Sequence, residues 1–160
     1  MKYIKGFVWA AILILLDQLS KYWATITLKG NQPIVLWKGI FELRYLENRG
    51  MAFGLLQNRI GVFLIVTILI LGAIIYYYYR VPNTKRMLPL RITMVVLAAG
   101  AVGNMIDRIV NNYVIDFLYF KAINFPIFNV ADCYVTISFV SLMVLILFYY
   151  KEEELKFDAK

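Results

Sequence analysis

Long apolar stretches alternate with shorter polar ones along the chain, and the apolar stretches set the architecture. Uncharged runs reach 18 to 20 residues. At a rise of about 1.5 Å per residue, some 20 helical residues match a hydrocarbon core of about 30 Å. The pattern predicts four spans: Ile4 to Thr25, Ile60 to Tyr79, Pro89 to Ile109 and Ala131 to Tyr150. Their many Ile and Val residues do not argue for strands, because lipid requires a spanning segment to satisfy its own backbone groups. Lys2 and Lys5 before the run Gly6 to Leu16 imitate a secretory leader. No small-residue cleavage site follows, so the reading is an uncleaved first span.

Two segments lie between spans on the side away from the termini. Residues 26 to 59 are long enough for local structure, and Ile34 to Trp37 and Phe41 to Tyr45 are expected to form short strands around Lys38-Gly39. Trp37, Phe41 and Leu43 would rest on the membrane surface. Residues 110 to 130 are rich in Asn, Phe and Tyr: Asn111-Asn112 reads as a turn, and Pro126 as the end of an extended run before Asn129 caps the last helix.

Composition agrees with this pattern. Of 160 residues, 62% are hydrophobic and 17% charged, more apolar sequence than a soluble domain of this size can hide. One membrane domain, residues 1–160, is the simplest division. The net charge of +7 would raise nucleic-acid binding in a soluble protein. Here the cations flank apolar runs, which suits headgroups and topology control instead. The connection from Tyr79 to Arg91 carries Arg80, Lys85, Arg86 and Arg91 with no acid, a cytoplasmic signal. Lys2 and Lys5 put the N-terminus on that side, and four spans return the C-terminus to it. Tyr76 to Tyr79 would anchor in the inner aromatic belt. With one Cys and no His, neither an intrachain disulfide nor a zinc site is expected, and no cofactor is called for.

The chemistry lies in four aspartates at the ends of the apolar runs: Asp17, Asp107, Asp116 and Asp132. A carboxylate at lipid depth needs a partner, a cavity or a task. Asp17 and Lys21 form an i,i+4 pair near the outer boundary, from which Lys21 could snorkel. In Gly100 to Arg108, two glycines and Asn104 form a small face for close helix approach. Asn104, Asp107 and Arg108 share a side of that helix, either as packing glue with a terminal ion pair or as a shell orienting an active group. Period-2 alternation turns Val114 and Asp116 to one face and Ile115 and Phe117 to the other. Asp132 falls at the third helical position after an Asn129 cap, where the helix dipole favours its charge. Alone, Asp116 reads equally as a solvated loop acid and Asp132 as a helix-start acid. Together they lie sixteen residues apart on one predicted side. Two close carboxylates share a proton, one serving as general base and one as general acid. Asn48-Arg49-Gly50 before the second span offers donors, and Gly50 and Gly54 would allow close backbone approach.

These residues carry a resemblance. Asp17-Gln18-Leu19-Ser20-Lys21, Asn48-Arg49-Gly50-Met51-Ala52-Phe53-Gly54, Gly103-Asn104-Met105-Ile106-Asp107-Arg108, Val114-Ile115-Asp116-Phe117 and Phe128-Asn129-Val130-Ala131-Asp132 stand in order across nearly the whole chain. In that order and setting, the chain resembles the lipoprotein signal peptidases, or type II signal peptidases. The resemblance implies an all-α polytopic protein with four transmembrane helices, a small extracytoplasmic β-cradle and a mobile half-helical flap matching residues 26 to 59. It implies an aspartyl endopeptidase of the bacterial cytoplasmic membrane, with both termini cytoplasmic and its active centre near the outer face. Asp116 and Asp132 would be the dyad. Asn48, Asn104, Arg108 and Asn129 would bind or orient the substrate and the acids. Asp17, Lys21, Gly50, Gly54 and Asp107 would give structural support, Asp107 by steadying Arg108 or the outer segment. Met51 stands where a small residue is usual, and Asn112 stands near a usual Gly before the first of the two acids.

The substrate so implied is a diacylglyceryl-modified prolipoprotein, cut on the amino side of its lipidated cysteine while its acyl chains stay among membrane lipids. No metal, nucleic acid or obligate protein partner is expected. The bare sequence leaves a small proton-coupled transporter as the main alternative, and a lipid transferase or a structural membrane partner as others.

Overall fold

The computed structural model describes residues 3–50 and 59–157. The helices are α1 (Ile4–Leu28), α2 (Ile60–Arg80), α3 (Leu88–Asn111) and α4 (Val130–Val144), the last continued by a π-helical turn, Leu145–Tyr149. Among the described residues, three helical stretches are long and apolar enough to cross a membrane: Ile60–Arg80, Leu88–Asn111 and Val130–Tyr149. The fourth expected span, α1, is not among them, because Asp17, Gln18, Ser20 and Lys21 interrupt its apolar run. Helix α3 is the hub, packing against α1, α2 and α4. It buries Leu90, Leu97, Ala99, Gly100 and Gly103 along its length, whereas α2 buries no residue.

Between α1 and α2 lie β1 (Ile34–Trp37) and β2 (Phe41–Asn48), joined at Gly39, whose φ of +76° belongs to the left-handed region open to glycine. β3 (Val114–Phe120) completes an antiparallel sheet in the order β1-β2-β3. Two features exceed the sequence expectation. β2 runs three residues past Tyr45, to Asn48, and β3 is its partner, with Leu46 opposite Asp116 and Asn48 opposite Val114. The sheet packs on the end of α1 through Ala24, Leu28, Ile115 and Phe117, so β3 is buried on both faces at its start rather than on one. Phe41 lies against Phe120, with centroids 4.8 Å apart, and Leu43 packs against this core, both half-buried. Trp37 and the rest of β1 remain exposed. The turn at Asn111-Asn112 forms with Asn112 at φ +62°, a conformation that Asn tolerates.

The far end of the bundle has its own small core of Val81, Met87, Leu90 and Tyr150. The C-terminal segment folds back onto it: Arg86 pairs with Glu154 at 3.0 Å, and the Tyr150 hydroxyl donates to the Arg86 carbonyl at 3.0 Å. The mixed charges of this tail gave no sign of that contact. Tyr78 is not a simple belt residue. Its ring lies 4.1 Å from the Arg91 guanidinium, while Tyr76, Tyr77 and Tyr79 stay about half exposed.

Candidate active site

The site assembles where the C-terminal ends of α1 and α3 meet the start of α4 and the sheet. Asn129 organises it. Its Oδ1 accepts the Asp132 N–H at 3.0 Å, and Asp132 Oδ2 accepts the Asn129 N–H at 3.1 Å. This reciprocal cap starts α4 and fixes the Asp132 carboxylate. The Asn129 amide then donates to Asp116 Oδ1 at 2.6 Å and to Asn104 Oδ1 at 3.1 Å. One fully buried side chain thus touches an acid on β3 and holds another on α4.

Each acid has a second amide. Asn48 Nδ2 donates to Asp116 Oδ2 at 2.8 Å, and Asn104 Nδ2 donates to Asp132 Oδ1 at 2.7 Å. Asn48 is aimed by its own turn, since its Oδ1 accepts the Gly50 N–H at 3.0 Å. Gly50 therefore contributes a donor. Gly54, Met51, Ala52, Phe53 and the rest of 51–58, where part of the expected flap falls, lie outside the described residues. Residues 26–50 hold the end of α1 and two strands, with no separate helix.

Beneath the acids lies a buried charge cluster. Lys21 Nζ reaches Asp17 Oδ2 at 2.9 Å, Asp107 Oδ2 at 3.0 Å and Asn104 Oδ1 at 2.9 Å. Lys21 is 1% exposed, so it does not snorkel to the interface. It points inward because two carboxylates and an amide oxygen satisfy its three protons there. Asp17 Oδ1 accepts the Ala131 N–H, and Asp107 Oδ2 accepts the Ile115 N–H. Asp107 thus steadies the outer segment. Its ion-pair partner is Lys21, and no ion pair joins it to Arg108 among the described residues. Gln18, not singled out from the sequence, bonds Asp17, Asp107 and the Gly103 carbonyl. Its place in the motif beside Asp17 was the available signal.

Glycines permit this approach. A Cβ on Gly103 would lie 2.5 Å from Asp17 Oδ2, and one on Gly100 would lie 2.6 Å from the Ala131 carbonyl. Arg108 is half-buried, 4.6 Å from the Phe63 ring, and donates to the Asn104 carbonyl at 3.4 Å. It makes no ion pair with either acid among the described residues. Cys133, next to Asp132, is a half-buried free thiol.

Asp116 is 1% exposed. Burial first, and then the nearby charge of Asp132, push its carboxyl up to about 7, against the pull of the Asn48 and Asn129 hydrogen bonds. A carboxyl poised near neutrality, beside a second carboxylate at a helix start, is equipment for proton transfer in either direction.

Comparisons with known proteins span nearly the whole chain. The family model described as signal peptidase (SPase) II matches residues 9–148. A lipoprotein signal peptidase of Streptococcus thermophilus is 43% identical over 141 residues, covering 88% of this chain and 89% of the relative. One from Fusobacterium nucleatum is 37% identical over 146 residues, covering 91% and 87%. A solved structure described as a bacterial membrane enzyme superposes with a TM-score of 0.79 at 29% identity, covering 98% of this chain and 94% of the other.

Proposed function

Because the chain belongs to the signal peptidase II family, we propose that Asp116 and Asp132 are the pair that hydrolyses its substrate. The activity is that of a membrane aspartic protease, a lipoprotein signal peptidase that removes signal peptides from prolipoproteins. The observation that supports the pair is the Asn129 bridge, which ties Asp116 and Asp132 into one hydrogen-bonded unit.

In this reading the two acids hold one proton between them. Asp132 accepts a backbone N–H at the start of α4, where the helix dipole favours an anion, so it takes the role of base. Asp116 keeps the proton. Asp132 withdraws a proton from water, the water oxygen attacks the scissile carbonyl, and Asp116 donates toward the carbonyl oxygen. Proton delivery to the departing amine then breaks the C–N bond. Arg108 and the Asn48 amide face the charge that develops on the substrate.

The bond cut is the one on the amino side of a diacylglyceryl-modified cysteine, whose acyl chains remain among lipids. Helix α1 acts as a fourth span. Its charges do not forbid this, because Asp17 and Lys21 neutralise each other inside the bundle instead of facing lipid. Arg80, Lys85, Arg86 and Lys5 then mark the cytoplasmic end, with both termini there and the acids near the outer face.

The test is cleavage of a diacylglyceryl-modified precursor by purified protein, with products located by mass. Asp116→Asn and Asp132→Asn should each lower turnover by about 10²–10⁴-fold or more while the fold and precursor binding persist. Turnover like that of the parent in either variant overturns the assignment.

A further inference from the structure

The end of the bundle away from the acids carries an unbalanced charge. Arg91 is 4% exposed, yet neither it nor Lys5 forms an ion pair among the described residues. Arg91 Nη1 donates to the Tyr78 carbonyl at 3.1 Å and the Val81 carbonyl at 3.0 Å. Its Nε and Nη2 have no protein hydrogen-bond partner among the described residues, and neither is an enclosed orphan. A buried guanidinium held by neutral carbonyls and the rings of Tyr3 and Tyr78 lacks a counter-ion among the described residues, and at the edge of hydrocarbon that is costly.

Arg91 and Lys5 both line an open cavity of about 850 Å³ between α1 and α3. The two helices run in the same direction: Gly6 lies by Val95 near one end, and Asp17 lies by Gly103 near the other. Lys5, Arg91 and Asn83 therefore form a polar mouth at one end. From there Trp9, Leu13, Ile92 and Val96 carry an apolar wall inward, about 12 Å along α1 from Lys5 to Leu13. A cationic mouth over an apolar trough has the outline of one lipid: an anionic headgroup and the upper part of an acyl chain.

We propose that this groove binds an anionic phospholipid, its phosphate at Lys5 and Arg91 and a chain along α1 and α3. The charge selects the occupant. Secretory signal sequences begin with a cationic segment, which Lys5 and Arg91 would repel. A zwitterionic lipid would place its own cation beside them. The site lies apart from the acids and has no part in hydrolysis. It rests on the reading of α1 as a span, and not on the identity of the catalytic pair.

The full chain, purified in a neutral detergent, is mixed with phosphatidylglycerol, phosphatidylcholine or glycerol phosphate. Bound lipid is read by native mass spectrometry, and stability by thermal melting. One phosphatidylglycerol should be retained per chain and should raise the melting temperature; the other two probes should do neither. Lys5→Glu should weaken retention about tenfold. Ile92→Trp, which fills the trough, should abolish retention while precursor cleavage continues. Equal retention of phosphatidylcholine, an equal effect of glycerol phosphate, or unchanged retention in both variants overturns the proposal. So does displacement of the lipid by a synthetic cationic signal-peptide segment. Retention is read without a cleavage assay, so a failure of the Asp116–Asp132 assignment would leave this result standing.

Discussion

At Asp116 opposing effects meet on one carboxyl. Burial and the Asp132 charge favour the neutral form; the Asn48 and Asn129 amides and the Lys21 charge favour the ionised one. The first group prevails, and the carboxyl rests at about 7 instead of in the ordinary carboxylate range. The sign follows directly. The stability gained by holding this proton is present below the unfolded value near 4 and is lost as pH rises through about 7. The rate should follow the same proton, so kcat/KM is expected to fall as pH rises through about 7. Asn129→Ala removes a bond to the ionised form and should move that limb upward, besides costing about 1 kcal/mol for the lost cap. A kcat/KM profile of both proteins decides this, and a limb that does not move would show that Asn129 acts only as a cap. Asp116 and Asp132 were legible because charge among apolar residues is conspicuous. Lys21 was only half legible. Spacing along one helix announced Asp17, but Asp107 and Asn104 reach Lys21 through the packing of α1 on α3, which no local pattern encodes.

Helices were the easiest elements to read, since the bilayer prescribes their length and the runs supply it. The sheet was not, for a physical reason: its strands belong to two distant segments, and only pairing with β3 explains why β2 continues to Asn48. The fold-back of the tail onto Val81 and Met87 was hidden likewise. What the sequence did show was the small face of α3, and it carries a graded prediction. At Gly103 an added methyl meets an Asp17 carboxylate pinned by Lys21 and the Ala131 N–H, so it cannot swing away. At Gly100 it meets backbone, the Ala131 carbonyl. Gly103→Ala and Gly100→Ala should each cost about 1–3 kcal/mol by overpacking. Gly72→Ala on α2, with nothing within 4 Å, should cost nothing. Gly103→Ala should also lose the most activity, because the methyl presses on the charge cluster. Thermal melting in detergent, paired with cleavage rates, checks the order; equal melting of all three would refute the close approach.

For the molecule as a whole, one buried cation does the joining. Lys21 on α1 holds Asp17, which receives the first turn of α4 through Ala131, and Asp107 on α3, which receives β3 through Ile115. Four elements thus converge on a single ammonium group, which also fixes the Asn104 amide so that its NH₂ points at Asp132. Stability and chemistry should therefore separate in a paired substitution. Lys21→Met leaves two buried carboxylates without a counter-charge and should cost about 3–5 kcal/mol. Adding Asp107→Asn removes one of those charges and should restore part of the stability, because a neutral amide can still accept the Ile115 N–H. Activity should not return with it, since Asn104 Oδ1 then keeps only the Asn129 amide of the two donors that set the orientation Asp132 requires. Denaturation and cleavage measured on the single and double variants test this. Parallel recovery of both would mean that Lys21 acts on the fold alone. Recovery of neither would mean that the cluster is more than a balance of charge.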